Sequence, residues 1–131
     1  MNKGHIDVSE LNTLPEQPEF ETAQFFADLG KDIVFIRPSS IPNQHRPDIL
    51  MDGVEWEIKC PEGSSKRTIE NNIRSAERQS HYIIIDLRRI RIPEKKCLTE
   101  IDNNFKTKPR IKRILVITKE LKLIEFPTKD N

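Results

Sequence analysis

The chain has 131 residues, the length of one ordinary domain, and its 35% hydrophobic and 33% charged residues describe a polar protein with a small core. No apolar run approaches the about 20 residues of a membrane-spanning helix, which excludes a helical membrane protein, and no charged-then-apolar leader opens the chain. The net charge of +1 is unevenly spread: residues 1–32 hold seven acidic and two basic side chains, and the rest holds fourteen acidic and twenty basic, so a basic body admits a polyanionic partner.

Residues 1–18, punctuated by Pro15 and Pro18, lack periodicity and read as an N-terminal arm or linker ahead of a domain at 19–131. Phe20, Ala23, Phe26 and Ala27 recur at helical spacing, and Gly30 suits the C-terminal cap. Ile33–Ile36 is a short buried strand stopped by Pro38, and 38–47 is a loop. Asp52-Gly53 between two β-rich arms predicts a type I′ hairpin pairing Ile49 with Trp56. Ser64 or Ser65 can cap a helix over about 66–80 that buries Ile69, Ile73 and Ala76. Tyr82–Leu87, without polar alternation until its end, reads as a central strand. A basic connection leads to a short helix around 98–105, and strands at about 112–118 and 121–126 turn at Lys119-Glu120. Cys60 and Cys97 share no metal-ligand spacing with each other or with the histidines, so they read as reduced thiols.

The hairpin carries the chemistry. Its register sets Asp48 opposite Glu57, with Lys59 on the same face and Trp56 on the core face. Opposed carboxylates repel unless a cation lies between them, and Mg²⁺ or Mn²⁺ is the cation expected, taking one or two carboxylates together with water and a phosphate oxygen. With Lys59 beside them, the group suits phosphodiester cleavage. Without such a role, the same residues would be a solvated hairpin surface. Arg74 and Arg78, on one helix face, and Arg88 and Arg89 are candidates for sequence-independent phosphate contact, as are Ser65 and Lys66 near a helix start. His45 reads as a loop residue or a metal-free general base.

Pro47-Asp48, eight intervening residues and Glu57-Ile58-Lys59 resemble the PD-(D/E)xK nuclease signature, and the element order resembles that superfamily's core. The implied fold is α/β (α+β): a restriction-endonuclease-like αβββαβ core with a mixed central sheet flanked by helices, plus a C-terminal αββ. The resemblance makes Asp48, Glu57 and Lys59 catalytic and Asp48 and Glu57 metal ligands. It adds Glu21 as a further acidic ligand on the first helix and sets Gln79 beside the site.

Stretches from Pro47-Asp48-Ile49 through Gly63-Ser64-Ser65-Lys66 and Ile84–Arg89 to Ile111–Thr118 also resemble the C-terminal nuclease domains of bacterial contact-dependent inhibition toxins. Those domains are typically tRNases at the tail of a larger secreted protein, neutralised by a cognate immunity protein. That resemblance implies RNA, tRNA foremost, as substrate. It also implies action in the bacterial cytoplasm after delivery by a secreted or phage-borne parent, and admits a host translation factor as a partner. The alternatives are a metal-dependent DNA endonuclease, a metal-free RNase drawing on His45, Lys59 and Arg74, and a non-catalytic nucleic-acid-binding or immunity-type module.

Overall fold

A computed structural model describes residues 2–128. In chain order the elements are β1 (Ile6–Asp7), α1 (Gln17–Asp28), β2 (Ile33–Phe35), β3 (Ile49–Met51), β4 (Val54–Lys59), α2 (Thr68–Glu77), β5 (Tyr82–Asp86), α3 (Glu94–Thr107), β6 (Arg113–Ile117) and β7 (Leu123–Phe126). The strands form one seven-stranded mixed sheet whose spatial order equals their chain order. The expected α/β architecture is therefore present, with helices on both faces.

Strand β4 joins the two halves of the sheet. Its first half pairs antiparallel with β3, matching Met51 with Val54, Leu50 with Glu55 and Ile49 with Trp56. The second half pairs parallel with β5, matching Glu57 with Ile83 and Lys59 with Ile85. The hairpin turn has Asp52 at φ 56° and Gly53 at φ 74°, the doubly left-handed turn expected at that dipeptide.

Alternation along the strands feeds two cores. Trp56 and Ile58 of β4 and Ile84 of β5 pack with Phe26 and Ala27 of α1. Ile83 and Ile85 of β5 pack on the other face with Ile69 and Ile73 of α2 and Ile101 of α3. Helices α2 and α3 both follow from parallel crossovers running the same way along the sheet, which puts them on one face. At the end of α1, Gly30 (φ 93°) closes the helix: its N–H donates to Ala27 O at 2.9 Å and that of Lys31 to Phe26 O at 3.0 Å.

Four expectations are adjusted. Ile6 and Asp7, inside the segment read as an arm, pair in parallel with β2 and form the sheet edge. Helix α2 starts at Thr68 without a side-chain cap; Ser65 instead accepts from the Arg67 N–H at 3.4 Å in the preceding turn. Helix α3 starts at Glu94 rather than about 98, because Pro93 (φ −54°) leads into its first turn and Lys95 and Lys96 are that turn's exposed side. Strand β7 starts at Leu123 after Leu121, which takes a left-handed φ of 62°.

Trp56 is fully buried, donates its indole N–H to Met51 O at 3.1 Å and meets Tyr82 edge-on at 5.5 Å. Trp56→Ala should therefore cost about 3–5 kcal/mol in a urea titration; a loss below about 1 kcal/mol would contradict this packing.

Candidate active site: a carboxylate pair where two strands part

Pro47 ends the loop between β2 and β3, and Asp48 is the last residue before β3. Its N–H donates to Trp56 O at 2.9 Å, and its carbonyl accepts from the Ile36 N–H, also at 2.9 Å. The β3–β4 ladder ends at the Ile49–Trp56 pair, so on that edge of β4 the Ile58 N–H lies beyond the last paired residue of β3. The Asp48 side chain fills that place, accepting from the Ile58 N–H at 2.7 Å. A missing rung of the ladder thus fixes the Asp48 carboxylate.

Alternation sends Glu57 and Lys59 toward α2. Glu57 is only 4% exposed. With its amide nitrogen turned toward Glu57, Gln79 donates to both carboxyl oxygens, at 2.5 and 3.0 Å. The Lys59 ammonium lies 3.4 Å from Glu57 Oε2 and donates to Ser75 Oγ at 3.2 Å. Asp48, Glu57, Lys59 and Gln79 are therefore brought together as expected.

Burial and the neighbouring Asp48 charge push Glu57 up to about 8, and burial also raises Asp48. Asp48 and Glu57 each act on the other's proton affinity. Like charges this close cannot both ionise cheaply, so at neutral pH the pair holds one proton.

The α1 carboxylate that feels the charges of Asp48 and Lys59 is Glu19, whereas Glu21, the residue expected there, is paired elsewhere. Glu19 is half-buried and lines a cleft with Lys59, Cys60 and Asn72. Burial, then the charges of Asp48 and Glu16, raise it to about 7. Two residues later the helix has turned by about 200°. Glu21 consequently lies on another side of α1, where it accepts from Gln17 at 2.9 Å and ion-pairs with Arg89. The signal was present in the sequence: Glu19 precedes Ala23 by four residues and Phe26 by seven, the buried stripe of the helix.

Arg88 and Arg89 also differ from expectation. Asp86 is fully buried, and Arg88 grips it with two bonds, Nε to Oδ1 at 2.9 Å and Nη2 to Oδ2 at 2.7 Å. Arg89 bonds Glu21 and lies 3.6 Å from Asp86 Oδ2. Burial alone would raise Asp86, yet the hydrogen bonds from Arg88 and Thr22 outweigh it and hold the carboxyl below its usual range. Both guanidiniums are thus engaged by carboxylates rather than offered to phosphates. Ser65, Lys66, Arg74 and Arg78 are exposed. Arg74 and Arg78 each sit one position before a residue that touches the site, Ser75 and Gln79.

Among the described residues, no group of three or more His, Cys, Asp or Glu side chains is placed to hold a metal ion. The Asp48–Glu57 pair does present two hard oxygen donors in mutual repulsion, a donor set that fits a divalent cation completing its shell with water and phosphate oxygens.

Folding raises the proton affinity of Glu57 from 4.5 to about 8, so between those values the folded state holds more protons than the unfolded one and stability falls as pH rises. Without added divalent cation, the melting temperature of the wild type should fall between pH 5.5 and 8.5 by roughly 5–10 °C more than that of Glu57→Gln. Equal slopes would mean that Glu57 ionises normally. Asp86→Ala should cost about 3 kcal/mol in denaturant titrations, because it leaves two half-buried guanidiniums without their shared partner.

The family model described as the contact-dependent growth inhibition CdiA C-terminal domain matches residues 45–123, a span that includes Asp48, Glu57, Lys59, Ser75 and Gln79. Among solved structures, the chain is similar to one described as "CdiA-CT/CdiI toxin and immunity complex from Burkholderia pseudomallei". The TM-score is 0.67 and the identity 18%, and the match covers 94% of this chain and 98% of that one, a likeness of fold. No curated protein matches the chain. With more than half its length under that family model, the chain belongs to the contact-dependent growth inhibition CdiA C-terminal domain family.

Proposed function

We propose that the chain is the nuclease domain of a contact-dependent inhibition toxin and hydrolyses RNA phosphodiester bonds, tRNA foremost, at Asp48, Glu57 and Lys59. Family membership supports a toxic effector. The observation that carries the chemistry is the proton-sharing carboxylate pair beside a lysine ammonium, built where β3 and β4 part. A fold with no use for this arrangement would lose little by replacing it with neutral side chains, since buried like charges cost stability.

Each residue has a role set by its surroundings. Lys59, steadied by Ser75 and Glu57, supplies positive charge to a phosphate and to the charge that develops on its oxygens. Gln79 orients the Glu57 carboxyl, and the Ile58 N–H orients Asp48. Glu19, raised to about 7, has the proton affinity of a general base working near neutral pH. Asp48 and Glu57 would hold Mg²⁺ or Mn²⁺, which when bound supplies charge neutralisation and a more acidic water. Arg74 and Arg78 extend the positive surface along α2.

The partner proposed besides RNA is a cognate immunity protein, as in the solved toxin and immunity complex to which this chain is similar. The proposed place of action is the cytoplasm of a target bacterium, reached by delivery from a larger parent. Among the described residues, no helix is long and apolar enough to cross a membrane.

Purified protein incubated with total RNA and with plasmid DNA, each with Mg²⁺ or with EDTA, tests the reading. RNA should be cut in Mg²⁺, and Glu57→Ala and Lys59→Ala should each slow cleavage about 10²–10⁴-fold. A Glu57→Ala protein cutting at the wild-type rate, or a wild type that leaves RNA intact, would overturn it. Cleavage of plasmid alone would move the substrate to DNA. Undiminished cleavage in EDTA would favour the metal-free route, for which His45 lines the cleft beside Asp48. Mg²⁺ should also raise the melting temperature of the wild type and not of Glu57→Gln.

A further inference from the structure

Two clefts of about 470 Å³ border the carboxylate cluster, and their charge differs. The one beside Lys59 also carries Glu16, Glu19 and Glu62. The other is walled by the loop between β2 and β3, and its lining includes Arg46 and no acidic residue besides Asp48. Asp48 and Gln79 belong both to this second cleft and to the carboxylate cluster. A ligand seated there lies next to the reacting groups, and an anionic one meets less repulsion than in the first cleft.

The loop is tied by hydrogen bonds of its own. Ser39 Oγ donates to Gln44 Oε1 at 2.6 Å and accepts from the Ile41 N–H at 3.1 Å, while the Gln44 N–H donates to Ile41 O at 3.2 Å. Arg46 Nη1 donates to Arg37 O at 3.2 Å. On this fixed frame Ile41 lines the cleft with 59% of its surface exposed and belongs to neither core. Gln44 has given its oxygen to Ser39, which leaves its two N–H donors for a ligand. An apolar platform, an amide, an imidazole and a guanidinium within one cleft match a nucleotide: a base to cover, a base edge to bond and a phosphate to neutralise.

We propose that this cleft takes one unpaired nucleotide of the RNA chain, next to the bond that is cut, with its base over Ile41 and its edge at Gln44 and His45. The proposal rests on the phosphodiesterase reading of the neighbouring carboxylates. Its consequence is a substrate class. A base inside a duplex reaches a concave cleft only by leaving its stack, so the enzyme selects loops and single strands over paired stems.

Ile41 is exposed, so its replacement leaves the fold standing, and the melting temperature of each variant serves as the check. The full chain is titrated with the four ribonucleoside 5′-monophosphates and followed by amide chemical shifts, and a hairpin RNA is mapped for cleavage positions. The monophosphates should shift residues 38–47, Ile41→Ala should weaken their binding roughly tenfold, and Ile41→Phe should restore or tighten it. Cleavage should fall in the hairpin loop and not in its stem. Shifts confined to other residues, equal binding by all three proteins, or cleavage spread evenly through the stem would overturn the cleft assignment. So would an Ile41→Ala variant that loses only its cognate immunity protein, since the exposed side chain would then serve a protein interface. RNA cleavage without nucleotide binding in the loop would leave the proposed activity standing and remove this inference. Binding without any RNA cleavage would remove the activity.

Discussion

The structure turns on a change of partner in the middle of β4. Up to Trp56 the strand is hydrogen-bonded to β3, and from Glu57 onward it is bonded to β5. A strand that leaves one neighbour exposes N–H groups that must still be satisfied. Here the Ile58 N–H is met by the Asp48 carboxylate at 2.7 Å, which brings that carboxylate against Glu57. From the α2 face of the sheet, Ser75 accepts from Lys59 and Gln79, just past the end of α2, donates to Glu57. Ladder geometry and carboxylate placement therefore have one cause.

A second buried acid secures the first helix. Asp86, at the end of β5, accepts the Thr22 hydroxyl at 2.7 Å as well as the Arg88 fork. Thr22 lies one helical turn after Glu19, so the bond that holds Thr22 to the sheet also fixes where Glu19 meets Lys59. Arg89 ties Glu21 on a different side of the same helix. The two acidic clusters thus divide their work by partner type. Asp86 is surrounded by donors and stays ionised, whereas Asp48 and Glu57 face each other with a single ammonium and must share a proton. One cluster holds the fold, and the other is left chemically unsatisfied.

Local rules read well wherever a single contact sets the outcome. The Asp52-Gly53 dipeptide dictates the turn, the turn dictates the register, and the register sets Asp48 against Glu57 with Trp56 buried. Gly30 and the Phe20–Ala27 stripe likewise mark α1 and its end. Legibility fails where a charge is settled by a distant partner. Arg88 and Arg89 look like phosphate ligands in a basic run, and only the fold reveals Asp86 and Glu21 beside them. Glu19 and Glu21 are equally acidic, and the choice between them needs the facing direction of α1 rather than its existence. Ile6-Asp7 is too short to signal a strand; its pairing comes from the exposed edge of β2.

The shared proton and the proposed divalent cation answer the same repulsion between Asp48 and Glu57, and under that proposal they compete for the pair. Under that proposal, cation affinity rises with pH until the pair loses its proton near pH 8, the value to which burial and Asp48 drive Glu57. Below that range the proton stabilises the fold at the expense of the site. Above it, the unsatisfied charges weaken the fold unless a cation or a phosphate-bearing substrate complex replaces the proton. Stability and readiness for chemistry are therefore opposed at this pair. That opposition explains why the surrounding groups are arranged to steady it rather than neutralise it: a single lysine, one glutamine amide and one backbone N–H.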